Sequence, residues 1–157
     1  MLSGGFARDL AGKKFDSFAI FVKEESTMKK IVIETDQAPL PVGPYTQALA
    51  AGPFVFLSGQ IPMDARGNLV EGDIVVQTVQ VIANLKAILA AVGLTLKDVV
   101  KTTVYLKDMA DFPEMNRTYA EFFPQHPPAR TTIQAAGLAK NVSVEIDAIA
   151  VKKDWHA

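Results

Sequence analysis

Pro127-Pro128-Ala129-Arg130-Thr131-Thr132-Ile133-Gln134 is the segment on which the fold reading turns. Its proline pair fixes φ twice and withholds two backbone donors, which stiffens the entry to the next element. Beyond it the residues alternate, so that a strand here places Arg130, Thr132 and Gln134 on one side and Thr131, Ile133 and Ala135 on the other. β-Branched Thr131, Thr132 and Ile133 favour that extended conformation. One guanidinium then stands at the start of a rigid element, on a polar face. Arginine stays charged and offers a planar fork that fits a carboxylate with two parallel hydrogen bonds. The competing role for such a residue is a surface ion pair of little energetic weight.

Outward from this strand the chain alternates between the two periodicities. Upstream, Asp111-Phe112-Pro113-Glu114 matches a capping box with proline tolerated in the first turn. The helix it opens buries Phe112, Met115, Tyr119 and Phe122 and ends at Pro124. Asp98 to Leu106 reads as a strand, with Val100, Val104 and Leu106 opposed to Lys101, Thr103 and Tyr105. Asp73 can N-cap a helix running to about Val92, with Gly93 as its stop. Val75, Val79, Ile82, Leu85, Leu89 and Val92 form one apolar stripe on it.

Further upstream, Ala48 to Ala51 and Phe54 to Leu57 flank Gly52-Pro53 and read as a hairpin. Ser58-Gly59-Gln60-Ile61-Pro62 ends its second strand, and Asp64 to Gly72 is a solvated loop. A short strand from Ile31 to Glu34 precedes a stiff loop holding Pro39, Pro41, Gly43 and Pro44. Strands at 129–136 and 142–152 close the domain. The order is β-β-β-α-β-α-β-β. Two amphipathic helices cannot cover both faces of such a sheet, so they pack on one face, an α+β arrangement. The other face mixes Ser143, Glu145 and Asp147 with Ile149 and Val151 along the last strand. A half-apolar face left uncovered predicts burial against other subunits.

A chain of 157 residues is one domain of ordinary size, and 49% hydrophobic with 21% charged residues is a globular composition. The formal net charge of −1 leaves no electrostatic footprint for nucleic acid. With no Cys, disulfides, thiolate nucleophiles and Cys-held metals are excluded. His126 and His156 are far apart and lack a spaced ligand partner, so no metal site is expected. No apolar run is long enough to cross a bilayer, so no membrane partner is expected. Residues 1–27 mix Arg8, Lys13, Lys14 and Lys23 with Asp9, Asp16, Glu24 and Glu25, unlike a secretory signal or a transit peptide. Phe15 to Val22 within them reads as a short strand or a packing segment. Met28 makes a cleaner start, which divides the chain into an N-terminal extension at 1–27, a domain at 28–153 and a tail at 154–157. The cytoplasm is the expected location, from the absent signals and absent Cys.

Taken singly, the chemical candidates are modest. Glu145 and Asp147 share a strand face, and paired carboxylates can divide acid and base roles when their surroundings differ. Either can equally be part of a solvated face. Ser58 is no nucleophile elbow, because Phe56-Leu57 precedes it, and it reads as a hydrogen-bonding group. Gly43-Pro44-Tyr45 is a turn with an aromatic cover, and His126 a loop histidine. No glycine pattern cradles a phosphate. Spacing and composition alone thus describe an α+β domain with one well-placed arginine and no reaction.

Six blocks in register add to this. Gly43-Pro44-Tyr45, Leu57-Ser58-Gly59-Gln60-Ile61-Pro62, Lys101-Thr102-Thr103-Val104, Asn116 with Tyr119, Pro128-Ala129-Arg130 and Val144-Glu145-Ile146-Asp147-Ala148-Ile149-Ala150-Val151 resemble the RidA family of enamine and imine deaminases, over roughly 29–152. The resemblance implies a chorismate-mutase-like α+β fold, a mixed β-sheet with two helices on one face, assembled as a homotrimer with clefts between subunits. It implies hydrolysis of 2-aminoacrylate, 2-aminocrotonate and the related 2-iminopropanoate and 2-iminobutanoate to 2-keto acids and ammonia, with no metal or cofactor. The family's carboxylate-binding arginine falls on Arg130 and its water-activating acid on Glu145. Tyr45, Ser58 and Asn116 match cleft positions, and Thr132 stands where many members carry Cys, which bears on substrate preference. Two other readings remain beside the enzyme. A trimer holding small carboxylates without turnover would share Arg130 and tolerate loss of the Glu145 acid. Action on RNA is disfavoured by the net charge and by the lack of a histidine pair.

Overall fold

The structure, a computed structural model, describes residues 29–152. The expectations for the 1–27 extension, for Phe15 to Val22 and for the 154–157 tail lie outside the described residues. The elements appear in the expected order: β1 (Lys30–Ile33), β2 (Ala48–Ala51), β3 (Phe54–Gln60), α1 (Ile74–Ala90), β4 (Val99–Leu106), α2 (Phe112–Phe122), β5 (Ala129–Gln134) and β6 (Val144–Val151). Single 3₁₀ turns precede β4, α2 and β6.

The six strands form one sheet in the order β1-β2-β3-β6-β4-β5. Every neighbouring pair is antiparallel except β4 and β5, which run parallel on either side of α2. A parallel pair needs a crossover, and α2 supplies it. Both helices pack on one face, as the count of amphipathic elements predicted. That face carries Ala48, Val55, Leu57, Val104, Leu106, Val144, Ile146 and Ala148, which close on Val81, Ile82, Leu85, Leu89, Met115 and Tyr119 of the helices. The six-stranded α+β fold is thereby established.

The opposite face has no cover among the described residues. Phe54 and Phe56 of β3 are exposed there, in register with half-buried Val151 and Ile149 of β6. Toward β5 the same face turns polar, with Lys101, Thr103 and Tyr105 of β4 beside Asp147 and Glu145.

Helix α1 begins as read: the Asp73 carboxylate accepts from the Val76 N–H at 3.0 Å, and Gly93 takes φ +72° just beyond the last turn. Its buried stripe differs from the expected one. Ile74, Thr78, Val81, Ile82, Asn84, Leu85, Ile88 and Leu89 are buried, while Val79 is exposed. The helix is apolar on most sides, so several stripes fit its sequence. The one used is set by Asn84, whose amide donates to the Ile61 and Met63 carbonyls and ties that segment to the core.

Two further expectations are corrected. Asp111 does not cap α2; it sits in helical backbone with no capping hydrogen bond, because a 3₁₀ turn at Met109–Asp111 leads straight into the helix. Asp108 caps that turn instead, accepting from the Ala110 N–H. Val100 is exposed and not on the core side of β4, since a register irregularity between Val99 and Lys101 lets Val99 enter the core in its place.

Candidate active site

Tyr45, Ser58 and Glu145 reach one cleft from three separated stretches. The loop before β2 is rigid, and one buried side chain makes it so. Gln47 donates to the carbonyls of Thr35, Ala38 and Pro39 and accepts from the Thr35 N–H at 2.7 Å, stitching the proline-rich loop to the start of β2. Tyr45 folds over this loop, its hydroxyl accepting from the Val42 N–H at 3.4 Å. The second stretch is the end of β3. There the Ser58 hydroxyl donates to the Thr46 carbonyl at 2.6 Å, and the Ser58 N–H to the Gln47 carbonyl at 3.0 Å. Ser58 is thus a hydrogen-bonding group, as read from its sequence frame.

The third stretch is β6, which brings Glu145. Gly59 lies directly beneath it: a Cβ at that position would collide with the Glu145 carboxylate. The glycine is there for close approach, since only a residue without a side chain leaves room for the acid. Tyr45, Ser58 and Glu145 line one cleft of about 380 Å³, with Leu40, Ile61 and Met63 forming an apolar wall. Burial pushes the Glu145 carboxyl above its ordinary value, and the negative charge of Asp147 two residues along adds to the effect. A half-buried acid with raised proton affinity suits proton transfer near neutral pH.

Arg130 and Asn116 are elsewhere. The register pairs Thr102 with Arg130 and Tyr105 with Glu145, so the two side chains leave opposite faces of the sheet. Arg130 points to the helix side. Its guanidinium donates to Asn116 Oδ1 at 2.6 Å and lies 4.7 Å from the Tyr119 ring centroid and 5.8 Å from that of Phe112. The polar-strand-face expectation is corrected here: β5 presents Arg130 to aromatic side chains of α2, which stabilise a cation through their ring faces. Tyr119 is itself fixed by a 2.8 Å hydrogen bond with the buried Thr102 hydroxyl. Arg130 and Asn116 line a second cavity of about 330 Å³ with Tyr119, Phe123, Pro127 and Pro128. Thr132 comes next after Arg130 on the same side of β5, its hydroxyl buried with no hydrogen-bond partner among the described residues.

The six expected residues thus fall into two groups within one chain, Tyr45, Ser58 and Glu145 in one and Arg130, Asn116 and Thr132 in the other. Sequence reading missed Gln47 and the apolar wall, although the density of prolines before Gln47 signalled a loop needing an internal anchor. Among the described residues no three of His, Cys, Asp and Glu gather to hold a metal ion, and no helix is long and apolar enough to cross a membrane.

Comparisons with known proteins bear on this arrangement. A sequence profile described as Endoribonuclease L-PSP matches residues 35–152. A RutC family protein of Pyrococcus horikoshii is 54% identical over 125 residues, 79% of this chain and 99% of that protein. The 2-iminobutanoate/2-iminopropanoate deaminase of Salmonella typhimurium is 45% identical over 124 residues, 77% and 97% of the two. Among solved structures, E. coli TdcF with bound serine has a TM-score of 0.75 at 40% identity, covering 78% of this chain and 99% of that one. The matched segment contains β2 through β6 and all six candidate residues, and the chain belongs to the Endoribonuclease L-PSP family, the family of the RutC and Rid proteins.

Proposed function

We propose that this protein is a hydrolytic deaminase of reactive enamines and imines. It converts 2-aminoacrylate and 2-aminocrotonate, through 2-iminopropanoate and 2-iminobutanoate, to 2-keto acids and ammonia. The observation that carries the reading is Glu145: a half-buried acid of raised proton affinity in a cleft with an apolar wall. An imine carbon is already electrophilic, so no nucleophilic side chain is needed. Glu145 accepts a proton from water as the oxygen bonds to the carbon and the C=N electron pair moves to nitrogen. Returning that proton to nitrogen gives the carbinolamine; its hydroxyl proton then passes to nitrogen as the carbonyl forms and the C–N bond breaks, so that ammonia leaves. The methyl or ethyl group of the substrate lies against Leu40, Ile61 and Met63.

The substrate carboxylate is held by Arg130, and the placement of that residue requires a second copy of the chain. Arg130 and Glu145 leave opposite sheet faces, so one site combines the Arg130 side of one protomer with the Glu145 cleft of the next. A homotrimer, closed by burying the open face with Phe54 and Phe56, satisfies this requirement. The name of the Salmonella relative supports the reaction, and the serine in TdcF, an amino acid with a free carboxylate, supports the ligand class. The reaction as proposed uses no cofactor or metal, and the cytoplasm is the proposed location.

That bound serine equally suits a trimer that holds small carboxylates without turnover. One experiment separates the two. A serine/threonine dehydratase is coupled to the protein, and keto-acid appearance is compared for wild type, Arg130→Ala and Glu145→Gln. Acceleration by wild type alone is expected. No acceleration by any of them, with keto acid binding still seen by calorimetry, would establish the binding protein instead. Action on RNA would require RNA to be cut by the metal-free protein, and intact RNA is expected.

A further inference from the structure

On the open sheet face, Glu145 is one corner of a triangle of polar side chains. Asp147 lies two residues further along the same side of β6. Tyr105 of β4 stands directly opposite Glu145 in the register, yet its hydroxyl reaches diagonally and donates to Asp147 Oδ2 at 3.0 Å. Tyr105 therefore anchors the carboxylate that does not enter the cleft. Asp147 cannot relax away from Glu145 without giving up that bond, and Gly59, which has no Cβ, leaves the room that the Glu145 carboxylate occupies.

We propose that Asp147, anchored by the Tyr105 hydroxyl, is a positioning residue that sets the pH range over which Glu145 accepts a proton from water. The inference rests on the deaminase reading for its catalytic meaning, but the placement of the two carboxylates side by side on β6 is a property of the fold. The other groups facing the pair are few. From β4 there is Lys101, whose ammonium is taken up by the Thr102 carbonyl at 2.6 Å and by the Thr103 and Thr131 hydroxyls. The cleft rim contributes Tyr45 and Lys140, while β3 contributes Ser58 and Gln60, which carry no charge. In the proposed assembly, Arg130 of a second copy closes the cleft from the far side.

The raised proton affinity of Glu145 agrees, with burial its larger cause and Asp147 its second. A base must be ionised to act, so activity falls as pH drops through the Glu145 titration. Removing the Asp147 charge eases ionisation of Glu145 and moves that titration to lower pH.

The test compares wild type, Asp147→Asn and Tyr105→Phe by two readouts: the pH profile of kcat/KM for keto-acid formation, and the titration of the Glu145 carboxyl carbon by ¹³C NMR. Asp147→Asn keeps the shape and an acceptor for Tyr105. It is expected to shift both the acid limb and the carboxyl titration to lower pH, so that below the wild-type midpoint it retains a larger fraction of its plateau rate. Tyr105→Phe keeps the ring, releases Asp147 and gives a smaller shift in the same direction. A Glu145 titration that stays in place in both variants overturns the proposal, whatever happens to rate or stability. A wild type without turnover overturns the deaminase reading instead, and the carbon titration still decides the coupling.

Discussion

The guanidinium of Arg130 packs against its own chain on the helix side, with Asn116, Tyr119 and Phe112 around it, whereas the carboxylate of Glu145 is half-buried in a cleft on the opposite sheet face, much of which no described part of the chain covers. The first region is held by packing. β5 is pinned to β4 by parallel pairing, α2 lies over it, and the Tyr119–Thr102 bond fixes the ring that faces the cation. The second region is held by backbone approach and polar contacts: Gly59 beneath Glu145, the Gln47 amide behind the rim, and the Tyr105–Asp147 bond beside it. Each half is ordered without the other, and neither half alone can both grip a carboxylate and move a proton. The contrast locates the missing contacts. Under the proposed reading, the half that is complete within one chain would supply the charge, and the half left open would supply the proton transfer and the surface for another copy.

Arg130 is where this division of labour is most exposed to test. If it anchors substrate through two charge-assisted bonds of roughly 1.5–3 kcal/mol each, Arg130→Ala lowers kcat/KM by about 100-fold or more. Circular dichroism and sedimentation should stay unchanged, and an active Arg130→Ala protein would remove it from the site. Glu145→Gln preserves shape and removes the proton acceptor. A loss of about 100-fold carried by kcat, with ligand affinity retained in calorimetry, is expected for a general base.

Subunit mixing asks whether the two halves meet across copies. Arg130→Ala and Glu145→Gln subunits, unfolded together and refolded at equal ratio, regenerate intact sites only if they do. Random assembly of a cyclic oligomer then gives about a quarter of the wild-type rate. Recovery no greater than the two separate residual rates would place both residues in one chain's site. The mildest effect is expected at Gly59. Its replacement by Ala pushes the Glu145 carboxylate out of line and lowers kcat by about 10-fold, the scale of a catalytic group displaced by a fraction of an ångström. A crystal structure of Gly59→Ala with Glu145 unmoved would refute that account.

Element order and class were legible because they are written in local periodicity. The alternation in β4 and β6, the Gly52-Pro53 turn and the Asp73 cap each depend on residues within a few positions of one another. The motif blocks likewise pointed to the right family, and the structure sets Tyr45, Ser58 and Glu145 along one cavity and Arg130 and Asn116 along another. The failures share a cause. The α1 stripe was misplaced because a helix apolar on most sides does not specify its own buried face; Asn84 does, through carbonyls more than twenty residues away. Val100 was misplaced because one irregularity in β4 flips the residues before it, and nothing in alternation marks such a step.

Arg130 carries the same lesson to the site. Its neighbours in sequence are polar, and a strand read alone puts it on a polar face. The aromatic cover that receives it comes from a helix packed across the parallel crossover. Which residues of a strand share a side follows from the period of two, and one strand's sequence is enough to read it. Which side each strand turns toward the helices depends on pairing between segments about forty residues apart, as Tyr105 and Glu145 are, and on where α1 and α2 come to rest. The motif blocks could therefore name Arg130 and Glu145 together, while the folded sheet alone sets them on opposite faces.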